Sequence, residues 1–190
     1  APLDTMSDRY YIITPRSLAA SFRDLAAWKR QKGYDVVIKP IEEVYEEYPY
    51  GEGQTHSCQF AGGGTHSVEV VDEAASLRTY LQDEFSRHGS FFCLLAGDYH
   101  TNMPIRKAVV WADLLDFMGY TQSDNGEGAV PTDSYFMDLT SNWSMNKVPG
   151  MTIMSVQLLD FNCNWSIPVG RLLCSTTDEV ERYTRELMLY

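Results

Sequence analysis

Four cysteines, Cys58, Cys93, Cys163 and Cys174, and four histidines, His56, His66, His88 and His100, are the residues in this chain that could carry nucleophilic or metal chemistry. A thiol nucleophile needs a thiolate beside an imidazole, both exposed at a cleft. Cys93 does not suit that role, because it lies inside Phe91-Phe92-Cys93-Leu94-Leu95-Ala96, the most apolar run of the sequence. It reads as a reduced core residue. His56, Cys58 and His66 fall within eleven residues and are types that ligate zinc. Their spacing matches no standard zinc motif and no fourth ligand is evident, so the reading is a polar hairpin with outward side chains, and no metal site is assigned. Asp124, Asn125 and Glu127 offer oxygen ligands. They make calcium the one candidate ion, although the run lacks the full EF-hand spacing. Gly62-Gly63-Gly64 has no following lysine and reads as a flexible turn, not a phosphate cradle.

Four further residues are candidates for the rim of a cleft. Asp98 follows Gly97 at the end of an expected strand, where ligand sites of α/β folds form. His100 stands two residues on. Asp133, in Pro131-Thr132-Asp133-Ser134-Tyr135-Phe136, and Arg171, in Val169-Gly170-Arg171-Leu172, carry opposite charges and can pair with each other or with Asp98. Each of these carboxylates can equally serve structure, by capping a turn or accepting backbone N–H groups.

The elements that must position these groups follow from periodicity. Arg9–Thr14 is short, β-branched and aromatic, stops at Pro15, and reads as a buried strand. Leu18, Phe22, Leu25 and Trp28 recur at helical spacing and predict a helix over 17–32, with Lys29, Arg30 and Lys32 in its last turn and Gly33 beyond it. Tyr34–Lys39 is a second strand, so the three form a βαβ unit with parallel strands. A short helix is expected over 41–48. Residues 51–70, rich in Gly, Ser and Thr, read as a hairpin or loop insert. Ala74, Leu77, Leu81 and Phe85 mark one face of a helix over 72–87 that Asp72 can cap and Gly89 ends. Phe91–Ala96 is a central strand, apolar on both faces. Lys107–Trp111 and Ile153–Leu159 are strand candidates, Ala112–Met118 a helical turn, Ser123–Gly128 a loop, and Ile167–Arg171 a short strand and turn. The last helix follows Thr176, with Glu179 placed for a capping box.

These elements predict a single α/β domain over 1–190, a three-layer sandwich with a mainly parallel sheet of order 2-1-3-4. The crevice is expected at the strand C-termini, near Thr14 and Asp98.

Composition bounds the function. The formal net charge is -11, from 15 Lys and Arg against 26 Asp and Glu. Nucleic acid and anionic membrane surfaces are poor partners for such a chain. No apolar run approaches the roughly 20 residues that span a bilayer. The opening Ala1-Pro2-Leu3-Asp4 shows no signal peptide, so a secretory leader is expected to be absent or already removed.

Four stretches together resemble the gingipain family of caspase-like cysteine peptidases. They are Tyr10–Pro40 (YYIITPRSLAASFRDLAAWKRQKGYDVVIKP), Phe92–Asp98 with the later Pro104, Pro131–Phe136, and Val169–Leu172 followed by the capped helix to Tyr190. The insert at 51–70 departs from the family pattern. The resemblance implies the N-terminal α/β half of a catalytic region whose nucleophilic Cys and His lie in a second half, the His in a His-Gly dipeptide at a strand end. Here His88-Gly89 closes a helix instead, so no catalytic residue is carried over. The resemblance further implies an extracellular or bacterial cell-surface endopeptidase. Its partners would be the catalytic half of the same polypeptide and a protein or peptide substrate. The alternative is a degenerate peptidase-like module for binding or assembly in a bacterial surface or secretion system.

Overall fold

The computed structural model describes residues 6–49, 55–59, 65–69, 72–98, 101, 103–104, 106–108, 130–141, 143–148, 151–156 and 165–189. For 6–7, 55–59, 65–69, 106–108, 130–131, 144–148 and 151–156 the description is of the backbone. The expected helical turn at 112–118 and loop at 123–128 lie outside the described residues, as do Asp124, Asn125, Glu127 and His100.

The first strand, β1 (Met6–Thr14), leads through α1 (Arg16–Ala19), a 3-10 turn (Ala20–Phe22) and α2 (Arg23–Gln31) to β2 (Asp35–Pro40). The single helix expected over 17–32 is thus tightened at its centre. Leu18, Phe22 and Leu25 still fall on one buried face, and half-buried Trp28 lies under the Lys32 ammonium, 4.3 Å from its ring centre. Gly33 leaves the helix at φ +95, a conformation L side chains rarely adopt. Next come α3 (Ile41–Glu47), the hairpin strands β3 (Thr55–Gln59) and β4 (Thr65–Glu69), α4 (Glu73–His88) and β5 (Ser90–Ala96). Asp72 caps α4, its carboxylate accepting the Ala75 N–H at 2.9 Å. The chain continues through β6 (Arg106–Ala108), β7 (Val130–Thr132), α5 (Ser134–Met137), β8 (Trp143–Val148), β9 (Met151–Val156), β10 (Val169–Leu172) and α6 (Thr177–Met188). The capping box of Thr176 and Glu179 opens α6.

Four strands form an all-parallel sheet in the order β10-β5-β1-β2. The first three strands take the order expected from the sequence. The fourth place falls to Val169–Leu172, the segment that reads as a short strand and turn. Side chains alternate across the sheet. Tyr11, Ile13, Cys93 and Leu95 pack into one core with Ile41, Val44, Leu77 and Leu81. Ile12, Leu94 and Ala96 pack into another with Leu18, Phe22, Leu25 and Val180. Helices therefore cover both faces, and the fold is a three-layer α/β sandwich. Each of the Ile, Leu, Val and Phe side chains among them contributes about 1.5–3 kcal/mol by leaving water.

A second sheet has six strands in the order β4-β3-β8-β9-β6-β7, mostly antiparallel. It gathers Arg106–Ala108 and Met151–Val156, which sequence pattern alone could not separate from the main sheet. Trp143 of β8 joins the first core, 5.3 Å from the Tyr135 ring.

The junction of these parts is held by Arg78 of α4, 1% exposed. Its guanidinium donates to the carbonyls of Tyr135, Asp138 and Ser141 and lies 4.7 Å over the Tyr135 ring. Gln82, one turn on, donates to the Leu139 carbonyl at 2.7 Å. Replacing Arg78 by Met removes its hydrogen bonds to the carbonyls of Tyr135, Asp138 and Ser141, each lost bond to a charged group costing about 1.5–3 kcal/mol. Arg78→Met should lose at least about 3 kcal/mol in urea unfolding. A loss below about 1 kcal/mol would show that this guanidinium does not hold the segment.

The start of β1 makes a second, pH-dependent prediction. Burial pushes Tyr10 and Tyr11 up to about 12 from 10.0, with Tyr183 adding to the effect at Tyr10 and the Glu84 hydrogen bond to that at Tyr11. The folded chain keeps these protons where the unfolded chain has lost them. Their contribution is complete below pH 10, shrinks as pH rises, and is gone above about pH 12. Stability to urea should therefore fall between those values, and Tyr10→Phe should make the fall shallower. An unchanged slope in that variant would remove Tyr10 as a cause.

Candidate functional site

The C-terminal ends of β1, β5 and β10 lie side by side, and they bring Thr14, Gly97, Asp98 and Arg171 to one rim. Gly97 is the tightest point. Its φ is +145, and a Cβ there would stand 2.9 Å from Thr101 Oγ1 and 3.1 Å from both Met103 Cβ and Pro15 Cδ. Only glycine lets the chain turn off β5 this close to the start of α1.

Asp98 closes the turn that follows. Its Oδ1 accepts the Thr101 N–H at 3.0 Å, its own N–H donates to Thr101 Oγ1 at 2.8 Å, and its carbonyl accepts from Met103 N–H at 3.2 Å. These bonds occupy the carboxylate in local structure, the bland reading of that residue. Among the described residues no ion pair links Asp98 to Arg171.

Arg171 pairs with Asp133. Its Nε donates to Asp133 Oδ2 at 2.8 Å and Oδ1 at 3.0 Å, and its Nη2 donates to Oδ1 at 2.7 Å. The same Nη2 donates to the Pro104 carbonyl at 2.9 Å. The guanidinium thereby ties the segment after β5 and the segment before α5 to the edge strand β10. Asp133 in turn accepts, through its carbonyl, the N–H groups of Phe136 and Met137 at the start of α5. Arg171 Nη1 is shielded from solvent and has no partner among the described residues.

Neither described thiol is an activated nucleophile. Burial pushes the Cys93 thiol well up; the Asp133 charge adds to this and Arg171 opposes it. Cys174, 2% exposed, is pushed up to about 11 by burial, with Glu179 and Asp98 adding. Both are free thiols. His88 ends α4, and its Nε2 lies 3.7 Å from Glu84. That position, just before β5 begins, is the opposite end of the sheet from the rim. His100, the remaining rim candidate, lies outside the described residues. Among the described residues no group of three His, Cys, Asp or Glu converges as a metal cluster.

The site as built is a neutralised Arg–Asp clamp beside an Asp-closed turn, which can fix loops; among the described side chains it holds no nucleophile and base in reach of each other. Sequence reasoning foresaw the Arg171–Asp133 pair as one of several options and missed Arg78. The available signal was spacing: Arg78 falls on the arc of Ala74, Leu77 and Leu81 and is, with Glu84, a charged residue of that buried face.

Fold and site together define a caspase-like α/β domain. Residues 4–190 match the family described as Peptidase family C25, and the chain belongs to that family. Solved structures share the fold at low identity. One is the complex of Porphyromonas gingivalis RgpB pro- and mature domains, at 14% identity and TM-score 0.55, with 96% of this chain and 29% of that chain covered. Another is dimeric latent PorU from Porphyromonas gingivalis, at 16% identity and TM-score 0.54, covering 96% of this chain and 15% of that one. The chain thus spans less than a third of the length of either. No curated protein matches.

The clamp makes a prediction. Arg171 and Asp133 are mostly shielded, their side chains 13% and 21% exposed. Asp133→Asn leaves the guanidinium without its counter-charge and should cost about 2 kcal/mol in urea unfolding. A cycle with Arg171→Met should give a coupling of about 1–2 kcal/mol. Coupling under about 0.3 kcal/mol would mean the pair does not act as a unit.

Proposed function

We propose that this chain is the non-catalytic N-terminal subdomain of a gingipain-like cysteine endopeptidase of the extracellular space or bacterial cell surface. The observation that carries this reading is chemical. The cysteines whose side chains are described, Cys93 and Cys174, are buried with raised pKa values, His88 is at the wrong end of the sheet, and Arg171 is paired with Asp133. Family membership supplies hydrolytic chemistry of the cysteine type, and the chain matches a minority of each neighbour's length. The subdomain's work is then to brace a catalytic half of the same polypeptide and to form one wall of the cleft for a protein or peptide substrate. The surface for that bracing is β10, at one end of the parallel sheet, flanked by Trp165 and Leu173, 41% and 67% exposed. Large exposed apolar residues beside a strand edge that is unpaired among the described residues mark a contact. No helix among the described residues is long and apolar enough to cross a membrane.

The purified chain should cleave none of a broad panel of peptides, with or without thiol. Turnover that depends on thiol and vanishes on changing Cys58, Cys93, Cys163 or Cys174 would overturn the proposal. Sedimentation separates the rival reading, a degenerate peptidase-like module for binding or assembly. The bracing role expects self-association through the β10 edge as concentration rises. A strictly monomeric, highly stable chain favours the module.

A further inference from the structure

At the strand starts of the parallel sheet, on the face that α2 covers, aromatic side chains take the row before aliphatic Ile12 and Leu94. Tyr10 of β1 is level with Val36 of β2 and with Phe92 of β5, and Tyr34 stands two residues before Val36. The rings of Tyr10, Tyr34 and Phe92 meet one another at centroid distances of 5.9, 6.2 and 5.6 Å. The end of α2 closes over them. Lys29 Nζ stands 4.6 Å from the Tyr10 ring centre, 5.3 Å from that of Tyr34 and 5.4 Å from that of Trp28, and Lys32 Nζ stands 4.3 Å from that of Trp28. Tyr10, Trp28, Lys29, Tyr34 and Phe92 are all half-buried, and Lys32 is exposed.

The setting of Lys29 is unusual for this chain. Among the described cations that are at least partly shielded from water, Arg9, Lys39 and Arg171 each face a carboxylate, and Arg78 faces main-chain carbonyls. Lys29 has neither among the described residues, and its neighbours are three rings. Lys32 likewise takes part in no ion pair among the described residues. Ring faces attract an ammonium but bring no counter-charge and no strong acceptor for its N–H groups. Burial, and then the Lys32 charge, lower the Lys29 ammonium from its ordinary value. An arriving carboxylate answers both.

We propose that the end of α2 and the rings beneath it dock an acidic peptide segment, with one carboxylate on Lys29, a second on Lys32, and an apolar side chain between them against Trp28 and Tyr34. Charge complementarity selects an anion, and the rings select one with an apolar body. The formal net charge of -11 favours a short one. A long polyanion meets repulsion from the rest of the surface, whereas two carboxylates are matched by two amines. The patch does not rest on the bracing role proposed above. α2 lies against β2, where Arg30 donates to the Val36 carbonyl at 2.7 Å, and β2 is the sheet edge opposite β10.

The test titrates the purified chain with the acetylated, amidated tripeptide Glu-Phe-Glu and with its Gln-Phe-Gln counterpart, followed by tryptophan fluorescence and amide NMR shifts. The expected result is saturable binding of one acidic peptide per chain with a Kd below about 1 mM, at least about 10-fold tighter than the uncharged one. The shifts should centre on residues 10, 28–34 and 92, and added salt should weaken the binding. Lys32→Glu should weaken it by about 10-fold or more, and Lys32→Arg should retain it. Arg23→Glu makes the same charge change at the other end of α2, about 9 Å from Lys29 along the axis and beyond a Debye length of about 8 Å, so affinity should stay within about 2-fold. No binding of the acidic peptide, equal affinity for both peptides, or affinity unmoved by Lys32→Glu overturns the proposal. Preference for an acidic polysaccharide, polygalacturonate, over the peptide does the same. Lys32 is exposed, so its variants keep the test decisive even if Lys29→Gln does not fold.

Discussion

A guanidinium removed from water must be met by acceptors, and at Arg78 the acceptors are main-chain carbonyls of a segment without a ladder of its own. Much of the second half of the chain hangs on that match. The segment 135–141 carries the Tyr135–Phe136 pair into the first core and hands the chain to Trp143 and the second sheet. It also receives the entry to β10: the Met137 carbonyl accepts the N–H groups of Ser166 and Ile167, and Ser166 Oγ accepts the Leu139 N–H. The position of the sheet's fourth strand thus traces back, through two sets of hydrogen bonds, to one arginine on α4.

Charge is distributed to the two ends of the parallel sheet in different ways. At the strand starts, Glu84 accepts from Tyr11 and Arg87, with Arg9 and His88 within about 4 Å. This cluster knits α4 to β1. At the strand ends, the Arg171–Asp133 pair does the corresponding work between β10 and α5. Both arrangements neutralise charge inside a chain whose formal net charge is -11. A rim tied up in this way can support a cleft: Asp133 is engaged with the Arg171 guanidinium and Asp98 with the Thr101 N–H.

The hairpin differs from the rest in kind. The parallel sheet is built from helix-covered strands. The second sheet pairs strands from distant parts of the chain, with β3 of the hairpin against β8 and β8 against β9. Members of one fold family differ most in such inserts, because they sit outside the layers whose packing sets the fold.

Local interactions were legible in the sequence. The apolar β-branched runs of β1 and β5, the Asp72 and Thr176 caps, the exits at Gly33 and Gly89, and the βαβ unit all rest on contacts within a few residues or on simple alternation. So did the burial of Cys93, set by its apolar neighbours, and the absence of a strand-end setting for His88. Tertiary structure alone decided the rest. Arg78 reads as an ordinary helix residue until the carbonyls from 135–141 arrive to meet it. Arg171 had two possible carboxylate partners, and the choice of Asp133 depended on β10 taking the edge of the sheet. The pairing of β3 with β8 is a register between strands distant in sequence. Registers of this kind are selected by the burial of whole faces at once, a free energy that belongs to the assembled chain and is not carried by any one segment.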